Sequence, residues 1–387
     1  MKNKWSGITF VAFFWAACIT SVGQALLQIQ TAGNLHSSIK ESSGIDQDPW
    51  GRIWTHNDGG DQARVYQINE QGATLRTLNI LNAQNIDWED ITISTDGYMF
   101  VADLGNNSND RNDLKIYKVN LNELTENQHS IAAEIIHVRY NEQVAFPPPQ
   151  SQRHFDVEAI AWRNRKLYLF TKNRSSPNDG LTRIYELPDA PGSYNLSAIM
   201  TFFTSTNVSE GRITAADFSD DGSQLVLIST NKLWHFKNLS TQFSLNVPVT
   251  IFSMEPITQK EAVCFIDECK ILLTDEVNDS QSSGGKIYSA DFCPSGMDAK
   301  KESYQINSWF NQQINSIEVS FSTDLHGKEM IVVLYSLTGQ LIFYESIRVE
   351  GKIAFILPSF ITTGIYHFMV YNKDFIHHVN RMAVRND

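Results

Sequence analysis

One pattern recurs five times along this chain and narrows the choice of fold more than any composition does. Its first element reads "ESSGI" from Glu41, "EDITI" from Glu89, "EAIAW" from Glu158, "TAADF" from Thr214 and "EAVCF" from Glu261. Each copy meets a turn ("DQDPWG", "STDG", "RNR", "SDDGS", "IDE") and then a second apolar run such as "YMFVADLGNN" or "KLYLFTKN". A third element repeats a basic–aliphatic–aromatic triplet ending at Tyr66, Tyr117, Tyr185, Trp234 and Tyr288, and a looser fourth run follows. Short β-rich runs punctuated by Gly, Asn and Asp are strands and hairpins. Four of them recurring about every 50 residues predict the blades of a propeller. The first elements lie 48, 69, 56 and 47 residues apart, so the insertions differ between blades.

The expected architecture is therefore all-β: a five-bladed β-propeller over 24–295, with a sixth, degenerate blade as the alternative. The fifth unit stops after its third element near Cys293, and "ALLQIQTAG" from Ala25 has no other place. That run is expected to supply the missing outer strand of the last blade, which would leave no open edge at the seam. A polar linker, 296–310, leads to a second all-β segment, 311–387, whose alternating apolar residues and Gly turns predict a small immunoglobulin-like sandwich. The chain is 387 residues long, and two domains suit that length.

The N-terminus, "MKNKWSGITFVAFFWAACITSVGQA", has a basic start, an apolar core and small residues afterwards. This predicts a secretory signal peptide over 1–23 rather than a membrane span. "WAAC" is a poor lipoprotein box because Trp15 stands at its usual aliphatic position. The formal net charge is −12, and loss of Lys2 and Lys4 with the leader takes it to about −14. An acidic surface argues against nucleic acid and anionic membranes as partners. Cys264 and Cys269 flank "FIDE", so either a disulfide across a hairpin or two buried thiols is expected. No histidine stands at zinc-ligand spacing from the cysteines.

In a propeller blade the innermost strand leaves one face and the second strand returns to it, so the start of one and the end of the other share the channel rim. Glu41, Glu89, Glu158, Thr214 and Glu261 are then expected to ring the channel as metal ligands. Around them should lie His56, Asn57 and Asp58; Asp103, Asn106 and Asn107; Lys172, Asn173 and Arg174; Asn231; and Asp275, Glu276 and Asn278. Carboxylates converging in a low-dielectric space repel one another unless they are protonated or neutralised. An all-oxygen donor set suits Ca²⁺ better than the tighter octahedron of Mg²⁺. The alternative is that each Glu caps a neighbouring blade by bonding backbone N–H groups or Lys and Arg. If the site is catalytic, Asp58, Asp103, His56, Lys172 and Arg174 are the candidates. A carboxylate would take a proton, His56 or His154 would shuttle one, and Lys172 and Arg174 would hold a phosphate. There is no Gly-x-Ser-x-Gly elbow.

The Glu-x-Ile or Glu-x-Val start of several inner strands, with a hydroxyl residue in another, resembles the calcium-dependent apyrases. These are five-bladed propellers with calcium in the channel. It is also similar to the phytase-like esterase propellers, which are six-bladed and bind calcium. These resemblances imply a calcium-centred hydrolase of phosphoesters or related esters. The competing expectation is a non-catalytic propeller that binds a small molecule or a surface glycan. "LYSLTGQLI", "LPSFITTGIYHF" and "HHVNRMAV" resemble the C-terminal sorting domain of the type IX secretion system, although "NQQINSIEVSF" replaces that family's usual Asn-Pro opening. This resemblance implies the secretion machinery as a partner, and a secreted or cell-surface location without an integral membrane span.

Overall fold

The computed structural model describes residues 25–245, 247, 249–277, 284–292, 306–311, 316–336, 341–350, 352–356, 361, 363–371 and 376–384. The expected signal peptide, Asn278, Cys293 and most of the linker lie outside them.

Five antiparallel sheets make a five-bladed propeller, each numbered here by its inner strand in chain order. Blade 1 runs Ser42–Gln47, Ile53–Asn57, Arg64–Ile68 and Thr74–Ile80 from the inside outward. Blade 2 runs Asp90–Ile93, Tyr98–Asp103, Lys115–Asn120 and Glu134–Tyr140; blade 3 runs Val157–Arg163, Lys166–Thr171, Leu181–Pro188 and Met200–Phe203. Blade 4 runs Ala215–Phe218, Leu225–Ile228, Lys232–Phe236 and Val249–Met254, and blade 5 begins with Lys260–Phe265, Lys270–Asp275 and Lys286–Asp291. The inner strands neighbour one another in a closed ring, blade 5 against blade 1.

The N-terminal segment closes that ring. Ile29–Asn34 pairs antiparallel with Lys286–Asp291, Ile29 opposite Ala290, and forms the outer strand of blade 5. Just ahead of it, Ala25–Leu27 pairs in parallel with the outer strand of blade 4. The same arrangement recurs where Ser130–Ile131 covers blade 1 and Gly192–Leu196 covers blade 2. These short fifth strands were not foreseen, and they shield edges that would otherwise offer unpaired backbone groups.

Buried apolar residues form one cluster per blade interface. Trp54 and Val65 meet Ile91 and Val101 between blades 1 and 2, and Ile45 and Ile53 meet Ala262 and Cys264 between blades 5 and 1. Blades 2 and 3 share Phe100, Ile116, Ile160 and Leu169 in the same way. Inner strands are therefore apolar on both sides, and polar side chains on them occupy the channel or its ends. The "RNR" turn puts Asn164 and Arg165 at φ 52° and 64°, the left-handed pair that a two-residue hairpin requires.

The C-terminal unit has a three-stranded sheet (Ile306–Asn311, Ser316–Phe321, Lys352–Ile356) and a four-stranded one (Leu341–Arg348, Glu329–Ser336, Gly364–Tyr371, Ile376–Val384). Their inner faces share a core that includes Ile317, Val319, Val332, Leu334 and Phe368. Its first strand starts at Ile306, ahead of the expected boundary at 311. Cys264 is a buried free thiol whereas Cys269 is disulfide-bonded, so neither expectation for that pair holds.

Candidate functional site

In four of the five blades the second strand ends by closing a backbone hydrogen bond onto the residues that lead into the inner strand. Asp58 N–H donates to Glu41 O at 2.8 Å, Gly105 to Asp87 O at 3.1 Å, Lys172 to Asp156 O at 2.8 Å and Glu276 to Gln259 O at 3.1 Å. Glu41, Asp87, Asp156 and Gln259 are therefore equivalent. Two residues on, and on the same face of the strand, stand Ser43, Glu89, Glu158 and Glu261, with Thr214 in blade 4. In blades 1, 3 and 5 this residue is a β-bulge, at Ser43, Glu158 and Glu261. A bulge leaves one residue outside the ladder and re-aims its side chain, here toward the channel.

The equivalence corrects one expectation. By sequence Glu41 aligns with Glu89, but the structure puts Ser43 in that place and leaves Glu41 exposed. The hydroxyls at this position join blades. Ser43 Oγ donates to Glu89 O at 2.6 Å, and Thr214 Oγ1 donates to Lys260 O at 2.8 Å. Thr214 is thus engaged with the next blade and does not line the cavity.

Glu89, Glu158 and Glu261 line a cavity of about 220 Å³ at the channel mouth, together with Ser43, Asp58, Asn107, Lys172, Arg174, Gln259 and Glu276. Five carboxylates face two cations there. Both cations are taken. Lys172 Nζ lies 2.7 Å from Glu158 Oε2, and Arg174 reaches Glu158 Oε1 at 2.6 Å and Asp156 Oδ2 at 2.5 Å. Burial acts to raise the Glu158 carboxyl, but Lys172 and Arg174 outweigh it and hold the group below its ordinary value. Burial likewise acts to lower Lys172, and Glu158 and Glu261 reverse that and keep it charged. The expected phosphate-holding pair is therefore occupied by carboxylates.

The other acids have no partner as close: Glu261 is 3.8 Å from Lys172 Nζ, and Asp58, Glu89 and Glu276 form no ion pair among the described residues. Burial pushes Asp58 up to about 7, with Glu158, Asp87 and Glu261 adding to the effect, and raises Glu89 well above the usual carboxylate range with help from Glu158 and Asp58. Glu276 is pushed to about 8 by burial and by the charge of Glu261. Carboxylate oxygens of Asp58, Asp87 and Glu89 lie within 4.8 Å of one another, and so do those of Glu89, Asp156 and Glu158.

Glycine makes the first of these clusters possible. A Cβ on Gly105 would stand 2.1 Å from Glu89 Oε1 and 2.5 Å from Asp87 Oδ2, and one on Gly59 would stand 2.6 Å from Asp87 Oδ1. Any side chain at Gly105 would fill the space the carboxylates use. Glu261 Oε2 is buried without a hydrogen-bond partner, its nearest cation being Lys172 Nζ at 3.8 Å. A tight, all-oxygen, under-neutralised donor set with a cradle kept open by glycine fits a hard divalent cation.

His56 and Asp103 lie outside the cavity. His56 is fully buried, packed edge-on against Trp88 with ring centroids 5.6 Å apart, and burial lowers it to about 4, so it stays neutral inside the wall. Asp103 accepts the Asp87 N–H at 3.1 Å and Arg111 Nη2 at 3.0 Å, and so fixes the segment that carries Asp87. His154 is buried beside Asp179 and does not line the cavity either.

Asp156, Gln259 and Ser43 were not among the residues expected here, and Asp87, expected at the channel mouth in an acidic cluster with Asp90, was not among the expected ligands. The signal was present: Asp87-x-Glu89, Asp156-x-Glu158 and Gln259-x-Glu261 share one spacing, and residues two apart on a strand share a face.

No family model matches the chain, and no curated protein matches its sequence. Among solved structures, the PQQ-bound aldose sugar dehydrogenase of Streptomyces coelicolor aligns at a TM-score of 0.43 and 11% identity, covering 70% of this chain and 99% of that one. A protein assigned as a gluconolactonase aligns at 0.39 and 11% identity, covering 67% of this chain and 76% of that one. Likenesses at this level carry no argument about activity. Among the described residues, no helix is long and apolar enough to cross a membrane.

Proposed function

We propose that the propeller is a hydrolase of phosphoesters or related esters, with a divalent cation, calcium by its donor set, held at the channel mouth by Asp58, Asp87 and Glu89. The observation that carries this reading is the contrast within one cavity. Glu158, ion-paired with Lys172 and Arg174, stands beside Asp58, Asp87 and Glu89, which form no ion pair among the described residues. A bound cation would supply Lewis-acid polarisation of the ester oxygen and a place for water. The chain's own groups do the rest. Gly105 and Gly59 keep the cradle open, Asp103 holds the Asp87 backbone, and Lys172 and Arg174 fix Glu158 beside the cradle. The cavity is large enough for water and one ester group, so substrate binds at the mouth rather than deep in the channel.

Melting the protein with calcium, magnesium and chelator tests the cation. Turnover of nucleotides, phytate and aryl esters under the same conditions tests the reaction. Absence of any calcium-dependent rise in melting temperature removes the cation from this reading.

A second reading, a non-catalytic ligand-binding propeller, is favoured by the rim. The connectors that enter the inner strands on this face expose Ile86, Val144, Phe146 and Ile257, apolar surface that a glycan or small molecule could cover. Tight glycan binding with no turnover on the panel would select it. For the C-terminal unit and the leader we propose export across the outer membrane through type IX secretion, followed by release or surface attachment. The support is the resemblance of "LYSLTGQLI" and "HHVNRMAV" to that sorting domain. Retention of a chain truncated after the propeller inside the cell is the expected outcome.

A further inference from the structure

We propose that Glu261 is the proton acceptor for the attacking water, an inference that rests on the hydrolase reading above. Five residues occupy the equivalent inner-strand position, and four are committed elsewhere. Ser43 and Thr214 bond the next blade, Glu158 is held by Lys172 and Arg174, and Glu89 belongs to the carboxylate cluster. Glu261 is left with Oε2 buried and, among the described residues, without a hydrogen-bond partner, its carboxyl otherwise touched by the Gln259 amide, in a residue that lines the cavity and is only 5% exposed.

The surroundings suit a base rather than a cation ligand. Lys172 Nζ stands 3.8 Å from Oε2, which disfavours a second divalent ion there yet steadies the charged carboxylate. Gln259, two residues earlier, donates its amide to Glu276 Oε2 and so fixes the neighbouring acid. The Thr214 hydroxyl pins Lys260 O, the backbone next to Glu261. The charged groups facing Glu261 are Lys172, Glu158 and Arg174 from blade 3, Asp58 from blade 1 and Glu276 from its own blade. Burial, opposed by Lys172, pushes its carboxyl up to about 7, the range in which a base works best near neutral pH.

The step balances within the site. The water oxygen bonds to the phosphoryl or acyl centre as one of its protons passes to the Glu261 carboxylate. The ester bond breaks with its electron pair remaining on the leaving oxygen. That oxygen then takes the proton back, and Glu261 returns to carboxylate.

The test compares full-length wild type, Glu261→Gln and Glu89→Gln in calcium, following turnover of the best ester of the panel across pH together with the calcium-induced shift in melting temperature. The expected result for Glu261→Gln is a kcat lower by roughly 10²–10⁴-fold, an unchanged KM, loss of the rise in rate near pH 7, and an intact calcium shift. Glu89→Gln should lose the calcium shift itself. An active wild type whose Glu261→Gln variant keeps kcat and the rise near pH 7 overturns the inference and leaves the hydrolase reading standing. So does loss of the calcium shift in Glu261→Gln, which would make Glu261 a ligand. A wild type inactive on every ester, with or without calcium, overturns the hydrolase reading and this inference with it.

Discussion

Blades 2 and 3 enter their inner strands with the same Asp-x-Glu spacing, Asp87-x-Glu89 and Asp156-x-Glu158, yet the two glutamates end in opposite electrostatic states, Glu89 raised and Glu158 held below its ordinary value. The residue that closes onto the aspartate's backbone decides which. In blade 3 it is Lys172, with Arg174 two residues on; together they hold Glu158 below its ordinary value, while burial and the neighbouring Glu158 still push Asp156 up to about 7. In blade 2 it is Gly105, which brings no charge and leaves room for the acids to approach each other. One blade thus contains a finished ion-pair network and its neighbour an unfinished one. The lesson is that a ring of equivalent acids need not be a ring of equivalent ligands. What stands opposite each acid sorts them into structural and cation-seeking members.

The most damaging way to disturb this contrast is to remove the blade 3 cation. Lys172→Met leaves Glu158 buried with only Arg174 against it, and breaking a buried pair from one side costs about 3–5 kcal/mol. Urea unfolding at pH 7 should show that loss, and calcium should recover part of it if blade 3 has become cation-seeking in turn. A loss under about 1 kcal/mol would mean that the Glu158–Lys172 pair is not what neutralises this wall.

Next in size is the reverse experiment on blade 2. In Gly105→Ala the new Cβ would meet Glu89 and Asp87 oxygens at 2.1 and 2.5 Å, so the cluster must open. Calcium at one hundred times its dissociation constant stabilises a folded protein by about 2.7 kcal/mol. Gly105→Ala should lose most of that calcium-dependent gain while the chelated protein changes little. An unaltered calcium shift would place the ion elsewhere in the channel.

How much of this could be read from the chain varies with the kind of information. The blade count and the seam were readable because every blade repeats the apolar inner runs that pack between blades, as Ile91, Ile160 and Val263 do. The carboxylates of Glu89, Glu158 and Glu261 were readable for the same reason, since each sits at a fixed offset from such a run. Their partners were not. Whether Lys172 answers a phosphate or Glu158 depends on a 2.7 Å contact between strands, and nothing in the local pattern encodes it. The candidacy of His56 failed on burial: the strand Ile53–Asn57 carries His56 into the wall rather than to the rim.

A smaller effect follows from protonation. Asp58, Glu261 and Glu276 ionise at about 7, 7 and 8 in the folded protein, against ordinary values of 3.8, 4.5 and 4.5. Between those limits the folded state binds more protons than the unfolded chain, so stability falls as pH rises. In chelator, unfolding free energy should drop between pH 5 and 8 and level off above. One pKa unit is worth about 1.4 kcal/mol at most, and solvent screening of the partly exposed Asp58 and Glu276 brings the net change to on the order of 2 kcal/mol. Calcium should flatten the slope, because it binds the deprotonated set, and its apparent affinity should rise over the same pH range. A chelated protein that gains stability from pH 5 to 8 would show that these acids are paired in solution.

The smallest effect separates blade 1 from the rest. Sequence alignment sets Glu41 beside Glu89, whereas the bulge in Ser42–Gln47 gives that place to Ser43, whose hydroxyl donates 2.6 Å to Glu89 O. Glu41 contributes its backbone to Asp58 and Asn57 and leaves its carboxylate exposed. Glu41→Gln should therefore change stability by under about 0.5 kcal/mol and leave the calcium shift untouched. Ser43→Ala removes a buried hydrogen bond between blades and should cost about 1 kcal/mol. Measuring both variants with and without calcium compares the two candidates for one ring position directly. If Glu41→Gln weakened calcium and Ser43→Ala did not, the register assigned to blade 1 would be two residues out and the fourth acid would belong to the site after all.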